Sequence, residues 1–289
     1  MKANKKFTEE LNTLNSMLNV VETYQEIAAM RMRRVKKSVL NSREFLVDLN
    51  NTFRAVTYAY EEYLKRISKY KETGELLNKN GRDVLVFVSA NMGLYGDIIR
   101  RTFRDFKNDV IKSGPTTDLV IIGKVGLDMY KNSGLTAPYT YYDLSDSGED
   151  AVNLKSILSK VLDYSQIIVF HGLFRSVLSQ VPNRTLVTGE AANLQSEYEK
   201  KGNVMFLFEP SVEDIAAYFE REVLSSVFEQ TIFESNLSKF SSRMVSLYSS
   251  TDNIRNSLKR VDFALKKFNH KIFNSKQLNR LSSIYLWGS

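Results

Sequence analysis

The sequence predicts an α/β protein: a long antiparallel coiled coil of N- and C-terminal helices with an inserted Rossmann-like α/β domain. Three observations carry that prediction. All four prolines, Pro115, Pro138, Pro182 and Pro210, and every glycine except Gly288 lie between Gly74 and Pro210. Proline costs a helix interior roughly 3 kcal/mol and glycine about 1 kcal/mol relative to alanine, so the two breaker-free ends read as continuous helices. Each end carries an apolar stripe at alternating steps of four and three, and between them β-branched runs alternate with helical periodicity. The implied boundaries are a coiled-coil helix over 1–78, an α/β domain over 79–210 and a second coiled-coil helix over 211–289.

The first stripe runs through Phe7, Leu11, Leu14, Leu18, Val21, Gln25, Ala28, Met32, Val35, Val39, Ser42, Leu46, Leu49, Phe53, Val56, Tyr60, Tyr63 and Ile67, interrupted by Gln25 and Ser42. The last runs through Phe233, Leu237, Phe240, Met244, Leu247, Thr251, Ile254, Leu258, Val261, Leu265, Phe268 and Ile272. A heptad repeat of that length specifies a left-handed coiled coil. Because the globular insert lies between the rods, the chain leaves by one and returns by the other, and the two pair antiparallel within one molecule. At 1.5 Å rise per residue each rod reaches on the order of 100 Å.

In the insert, residues Arg82 to Ser89 read as a buried strand, followed by Gly93-Leu94-Tyr95-Gly96 and a helix from Asp97 to Lys112. Leu119 to Gly123 is a second strand with a short helix after it, and Tyr139 to Tyr142 a third. Ala151 to Leu162 is helical, and Gln166 to Phe170 opens a fourth strand. Strands alternating with helices imply a largely parallel sheet. Arg184 to Thr188 and Val204 to Phe208 read as a closing antiparallel pair bounded by Pro210. The Gly93 to Gly96 loop invites comparison with a phosphate cradle. It lacks the Gly-Lys-Ser/Thr ending of a P-loop and the third glycine of a dinucleotide fingerprint, so glycines that turn the backbone into the helix are the better reading.

Composition narrows the class. The chain has 289 residues, 43% hydrophobic and 25% charged, which is the balance of a soluble protein with a core. There is no run of the eighteen apolar residues that a membrane span requires and no signal-peptide stretch at the start, so a cytoplasmic location is expected. With no cysteine, thiolate zinc sites and cysteine nucleophiles are excluded. His171 and His270 have no companion at ligand spacing and read as structural or surface residues. A net charge of +7 implies acidic partners. Its densest point is Arg31, Arg33, Arg34, Lys36 and Lys37, set among Met30, Met32 and Val35: a collar of positive charge around the apolar seam, or simply a solvated face.

Short motifs in order along the chain resemble one family, the gamma subunit of F-type ATP synthase, which forms the central rotor shaft. Glu26-Ile27-Ala28-Ala29-Met30-Arg31-Met32-Arg33 and Ser42-Arg43-Glu44-Phe45 are similar to its N-terminal elements, and Ser89-Ala90-Asn91-Met92-Gly93-Leu94-Tyr95-Gly96 to its Ser-x-x-x-Gly-Leu-Cys-Gly strand end. Ser179 to Pro182 and Phe208 to Pro210 match further short stretches. Glu234, Ser242-Arg243-Met244, Thr251-Asp252-Asn253 and Phe268-Asn269 resemble its late landmarks. The resemblance implies a noncatalytic subunit without cofactor, metal or catalytic residues, peripheral on the inner face of the cell membrane through its complex. Its partners would be alpha- and beta-type subunits, an epsilon-type subunit and a membrane rotor ring or a substitute anchor, with no nucleic acid. Contacts to the catalytic ring would fall to Arg31, Arg33, Arg34, Lys36, Lys37, Arg243, Asn269, Lys271 and Gln277. The apolar tip Ile284, Tyr285, Leu286 and Trp287 would turn in a bearing sleeve, and Phe208 and Glu209 would belong to the foot.

This chain also departs from the family pattern. The family's cysteine is Tyr95, its small C-terminal residues are bulky here, its Arg-Gln pair has become Lys271-Ile272, and a glutamate of its late helix is Gln277. Hydrogen bonds by which the shaft grips a catalytic subunit are thereby put in doubt. These departures point to an alternative, the shaft of a specialised F-type-like ATPase driving motility or a surface machine, such as those of gliding mycoplasmas. Two further classes compete: a nucleic-acid-handling coiled coil with a hinge domain, suggested by charge and rods but without aromatic-basic interleaving, and a stand-alone α/β enzyme, for which no polar constellation stands at the strand ends.

Overall fold

The computed structural model describes residues 2–66, 79–114, 116–146, 151–189 and 212–287. Helix α1 spans Lys2–Arg66. It is followed by β1 (Asp83–Val88), α2 (Ile98–Lys112), β2 (Thr117–Ile122), α3 (Lys124–Lys131), β3 (Tyr139–Tyr142), α4 (Ala151–Val161), β4 (Gln166–Phe174), β5 (Gln180–Leu186) and α5 (Val212–Trp287). The architecture is therefore mixed α/β, with two long terminal helices and a central parallel-sheet domain. Among the described residues no helix is long and apolar enough to cross a membrane.

The five strands are ordered β3-β2-β1-β4-β5, parallel except for β5. Alternation along β1 divides the core between the two faces of the sheet. Val84, Val86 and Val88 join a cluster with α4 (Ile157, Val161), α1 (Leu46, Phe53) and α5 (Val223, Val227, Phe228, Ile232). Leu85 and Phe87 join the other, with α2 (Ile98, Phe103, Phe106), Tyr130 of α3, Val35 and Val39 of α1, and Leu237 and Phe240 of α5. Phe106 stacks on Phe87 with ring centroids 5.3 Å apart and meets Phe170 edge-on at 5.6 Å. Both faces are covered, which is why the parallel strands read as near-continuous apolar runs.

One strand differs from expectation. β5 begins at Gln180 rather than Arg184, and the chain turns helical at 187–189. Pro182 masks the start, since proline donates nothing to a ladder and argues against a strand. Here it stands opposite Gly172 on the last strand of the described sheet, an edge position that tolerates it. β4 likewise runs four residues past Phe170. Its pairing with β1 stops at Phe170, and the remaining residues are held by β5 alone. The partner segment expected at 204–208 lies outside the described residues.

His171 is structural, 1% exposed in β4. With Nδ1–H donating to the Gly172 carbonyl at 3.2 Å, Nε2 accepts from the Thr185 hydroxyl at 2.9 Å. Burial pushes its pKa down to about 4, against smaller opposing effects of the Gly172 hydrogen bond and Glu234. His270 is exposed on α5.

The chain divides into two compact units, Met1–Ala28 with Met244–Ser289, and Ala29–Arg243. In the first, α1 and α5 run antiparallel: Asn4 meets Asn269, Phe7 meets Phe268 with centroids 6.0 Å apart, Glu22 meets Arg255 and Gln25 meets Thr251. The interruption at Gln25 is thus answered by the polar stripe residue of the opposite helix, Thr251 Oγ1 donating to Gln25 Oε1 at 3.5 Å. In the second unit, described stripe residues of α1 from Ala29 to Val56 are buried or half-buried, as the heptad reading expects.

Candidate functional site: the basic collar of the first helix

The collar, residues 31–37, occupies about two turns of α1. Val35 and Val39, both buried, fix that segment by packing into the cluster that holds Leu237 and Phe240 of α5. With 3.6 residues per turn, positions off the stripe of Met32, Val35 and Val39 point away from that cluster. Arg33, Arg34, Lys36 and Lys37 are exposed, and exposed Met30 and Leu40 flank the run. Arg31 differs. It is half-buried, its guanidinium 5.9 Å from the centroid of the Phe240 ring, a cation–π contact that ties the edge of the collar to α5.

A second polar tie lies farther along α1. Arg43 donates through Nη2 and Nε to Glu234 Oε1 at 2.5 and 3.2 Å, and Gln230 Nε2 donates to the same oxygen at 3.2 Å. The Glu234 side chain is only 12% exposed, so this pair is the more consequential of the helix-to-helix ion pairs. Both residues stand in motifs that carry the family resemblance, but nothing in those motifs pairs them or marks either as a site residue.

The other ring-contact candidates scatter. Asn269, Lys271 and Gln277 are exposed along α5, Asn269 accepting from Asn4 at 3.4 Å. Arg243 is buried, its guanidinium 5.3 Å from the Tyr95 ring centroid, so it stands inside the fold rather than on its surface. Tyr95 in turn donates to Asp146 at 3.0 Å. Burial first, and the Asp146 carboxylate next, hold the Tyr95 phenol well above its ordinary value, so it acts as a neutral donor. Ile284, Tyr285, Leu286 and Trp287 form the last turn of α5, but their side chains, like all of Phe208 and Glu209, lie outside the described residues. Sequence reasoning missed two residues of this region, Asp146 and Lys239, which form a buried ion pair. The available signal was a lysine in the stretch Ser235-Asn236-Leu237-Ser238-Lys239-Phe240-Ser241-Ser242, whose other members are small, apolar or neutral.

The Gly93 to Gly96 loop is a turn whose last glycine is sterically required. Gly96 has φ +59°, and a Cβ on it would come within 2.7 Å of Ser242 Oγ on α5. A cleft of about 440 Å³ between α2 and α3 is lined by Phe103, Lys107, Val125, Asp128 and Met129, and its lysine donates to the Ser133 carbonyl at 2.8 Å. Among the described residues no group of His, Cys, Asp or Glu is arranged to hold a metal ion.

Fold and site together define a class: long terminal helices flanking a parallel α/β domain, with a concentrated display of positive charge on one of them. Comparison with known proteins gives the family. The profile of the family described as ATP synthase matches residues 4–268, and the chain belongs to that family. It is 22% identical over 279 residues to the ATP synthase gamma chain of Ruthia magnifica, covering 92% of this chain and 93% of that one. It is 25% identical over 264 residues to the ATP synthase gamma chain of Fuscovulum blasticum, covering 86% and 87%. Its fold is that of a chain in the Euglena gracilis mitochondrial ATP synthase rotor, with a TM-score of 0.56 at 13% identity over 94% of this chain and 99% of that one. A chain from the central stalk and c-ring of the Tetrahymena thermophila mitochondrial ATP synthase matches with a TM-score of 0.55 at 17% identity, covering 80% and 99%.

Proposed function

We propose that this chain is the gamma-type central shaft of an F-type rotary ATPase, a noncatalytic subunit that couples ATP hydrolysis or synthesis in a surrounding ring to rotation. The observation that carries the reading is the family match over 4–268 on a fold whose terminal helices are unbroken over 65 and 76 residues. In this reading alpha- and beta-type subunits surround the helices, and a membrane rotor ring or equivalent anchor is gripped through the foot at Phe208 and Glu209, with an epsilon-type subunit beside it. The complex sits on the inner face of the cell membrane.

The collar residues Arg33, Arg34, Lys36 and Lys37 have the exposure that such a role needs. Successive ring subunits must push the same helix in turn, which favours charge attraction over fixed bonds, because exposed ion pairs form and break at a cost of at most about 1 kcal/mol each. Asn269, Lys271 and Gln277 offer weaker polar contacts along α5, and Ile284 to Trp287 an apolar tip for a sleeve. Arg31 and Arg243 serve the shaft's own packing, through Phe240 and Tyr95.

The test is a single-molecule rotation assay on the reconstituted complex carrying Arg33→Gln, Arg34→Gln and Lys37→Gln together. The variant is expected to fold with an unfolding midpoint close to the parent, and to lose torque and the coupling of ATP turnover to rotation. Unchanged torque and coupling would remove the collar from the mechanism, and failure of the chain to assemble with alpha- and beta-type subunits would overturn the shaft reading itself.

A further inference from the structure

The crevice at which a sheet of this order takes its ligands is filled here by the protein itself. Strands β1, β2 and β3 step one way and β4 and β5 the other, so the order reverses between β1 and β4. The carboxyl ends of those strands, with the loop after β1, are where doubly wound folds bind anionic ligands. In this chain α5 crosses that place. A Cβ on Gly172 of β4 would meet Ser238 Oγ at 2.6 Å, Lys239 Nζ donates to the Ser89 carbonyl just past β1 at 2.8 Å, and Ser242 Oγ donates to the Tyr95 carbonyl at 2.8 Å.

Asp146, from the segment after β3, stands where an anion would. Its Oδ2 accepts from the consecutive backbone N–H groups of Asn91 and Met92 at 3.0 and 3.2 Å and from the Tyr95 hydroxyl at 3.0 Å. Its Oδ1 accepts from Lys239 at 3.1 Å. The side chains of Lys239 and Asp146 are 5% and 4% exposed. Successive N–H groups converging on one oxygen are the arrangement by which loops cradle phosphates and carboxylates.

We propose that Asp146 is a resident anion: its carboxylate fills the cradle of the loop after β1 in place of a ligand, and its charge is what allows Lys239 to seat α5 across the sheet. A buried ammonium requires a counter-charge, and a cradle of N–H donors requires an acceptor. One carboxylate answers both, because its two oxygens face different partners. An amide at position 146 would offer the cradle an oxygen and leave the ammonium uncompensated. An alanine there would leave a hole lined by two N–H groups, a phenol and an ammonium, which is a binding site for a small free carboxylate. The inference concerns how α5 is fastened to the sheet and does not depend on what the helix turns.

The experiment is chemical rescue in the full-length chain, read by amide hydrogen exchange. In Asp146→Ala, the amides of Asn91, Met92 and residues 235–243 are expected to exchange on the order of 100-fold faster than in the parent. Formate should restore most of that protection saturably, while chloride at the same ionic strength should not. Undiminished protection in the variant, or lost protection that formate leaves unchanged in a chain otherwise folded, would overturn the proposal. If Asp146→Ala fails to fold even in formate, Asp146→Asn decides. Full protection in that variant would make the charge dispensable and sink the idea, whereas selective loss at 235–243 without any response to formate would support it.

Discussion

The stretch of α5 from Thr231 to Arg243 and the stretch from Met244 onward keep the same heptad spacing and live in different surroundings. In the first, every residue except Phe233 is buried, including Lys239 and Arg243. In the second, only Leu247 and Thr251 are, among the described side chains, while the remaining stripe residues are half-buried against α1. The stripe identifies the residues that meet the partner helix in both stretches. What differs is the residues off the stripe. In the first they include Ser235, Ser238, Ser241 and Ser242, small enough for the sheet and its loops to close on the helix, but also Ile232, Glu234, Asn236, Lys239 and Arg243, which are buried as well. In the second they include Ser246, Ser249 and Ser250, none of them buried, and then Arg255, Asn256, Lys259, Arg260, Lys266 and Lys267, which face water. The lesson is that a heptad repeat reports one partner, and whether others close on the helix is decided by the elements around it, since off-stripe serines are buried in the first stretch and half-buried or exposed in the second.

The sharpest way to break this comparison is to truncate one aromatic in each stretch. Phe240 is 0% exposed, and Phe240→Ala should cost about 3–5 kcal/mol in denaturant unfolding through lost burial and the cavity left behind. Phe268 is half-buried on Phe7, and Phe268→Ala should cost about 1 kcal/mol, because much of its surface is already in water. Equal losses in the two variants would mean that the two surroundings differ less than their burial indicates.

A pH titration probes the sheet on which the first stretch lies, through His171, buried in β4 beside Gly172, the glycine that Ser238 packs against. The His171 pKa is about 4 in the folded chain against an ordinary 6.5, so the unfolded chain binds the extra proton between those values. Stability from this residue is complete above pH 6.5, declines as the pH falls and is gone below about 4, a loss of roughly 3 kcal/mol. Urea midpoints measured across that window should fall with acidity, and His171→Gln should flatten the slope.

The smallest effect is expected at the surface of the two-helix unit. Arg255 donates to Glu22 at 2.8 Å, with both side chains substantially exposed. Arg255→Ala should change stability by less than about 1 kcal/mol, and less still in high salt. A larger, salt-insensitive loss would show that this pair is shielded from water in a way its exposure does not suggest.

Much of the molecule was legible because it depends on local pattern. The third strand is predicted at Tyr139 to Tyr142 and is found there, and the helix after the first strand begins at Ile98, one residue from the expected Asp97. β5 begins four residues before the expected Arg184 because Pro182 speaks against a strand in any local window. Only the edge position opposite Gly172 makes it acceptable. At the collar, position and sign of charge were legible and the division of labour was not. Arg31 differs from Arg33 by two residues in sequence, and only the approach of Phe240 separates a cation–π contact from an exposed charge.

By itself the sequence determined where the helices run, which of their residues face a partner, which segments become the parallel strands and which family the motifs point to. These follow from periodicity, from breaker placement and from short ordered motifs, all contained in one stretch of chain at a time. The tertiary structure alone decided that Lys239 meets Asp146 across 93 residues, that Arg43 meets Glu234 across 191, and that Arg243 lies under Tyr95. Such pairs leave no local trace, because a buried charge is tolerable only beside its counter-charge, and the identity of that neighbour is fixed when packed helices and strands bring distant segments together.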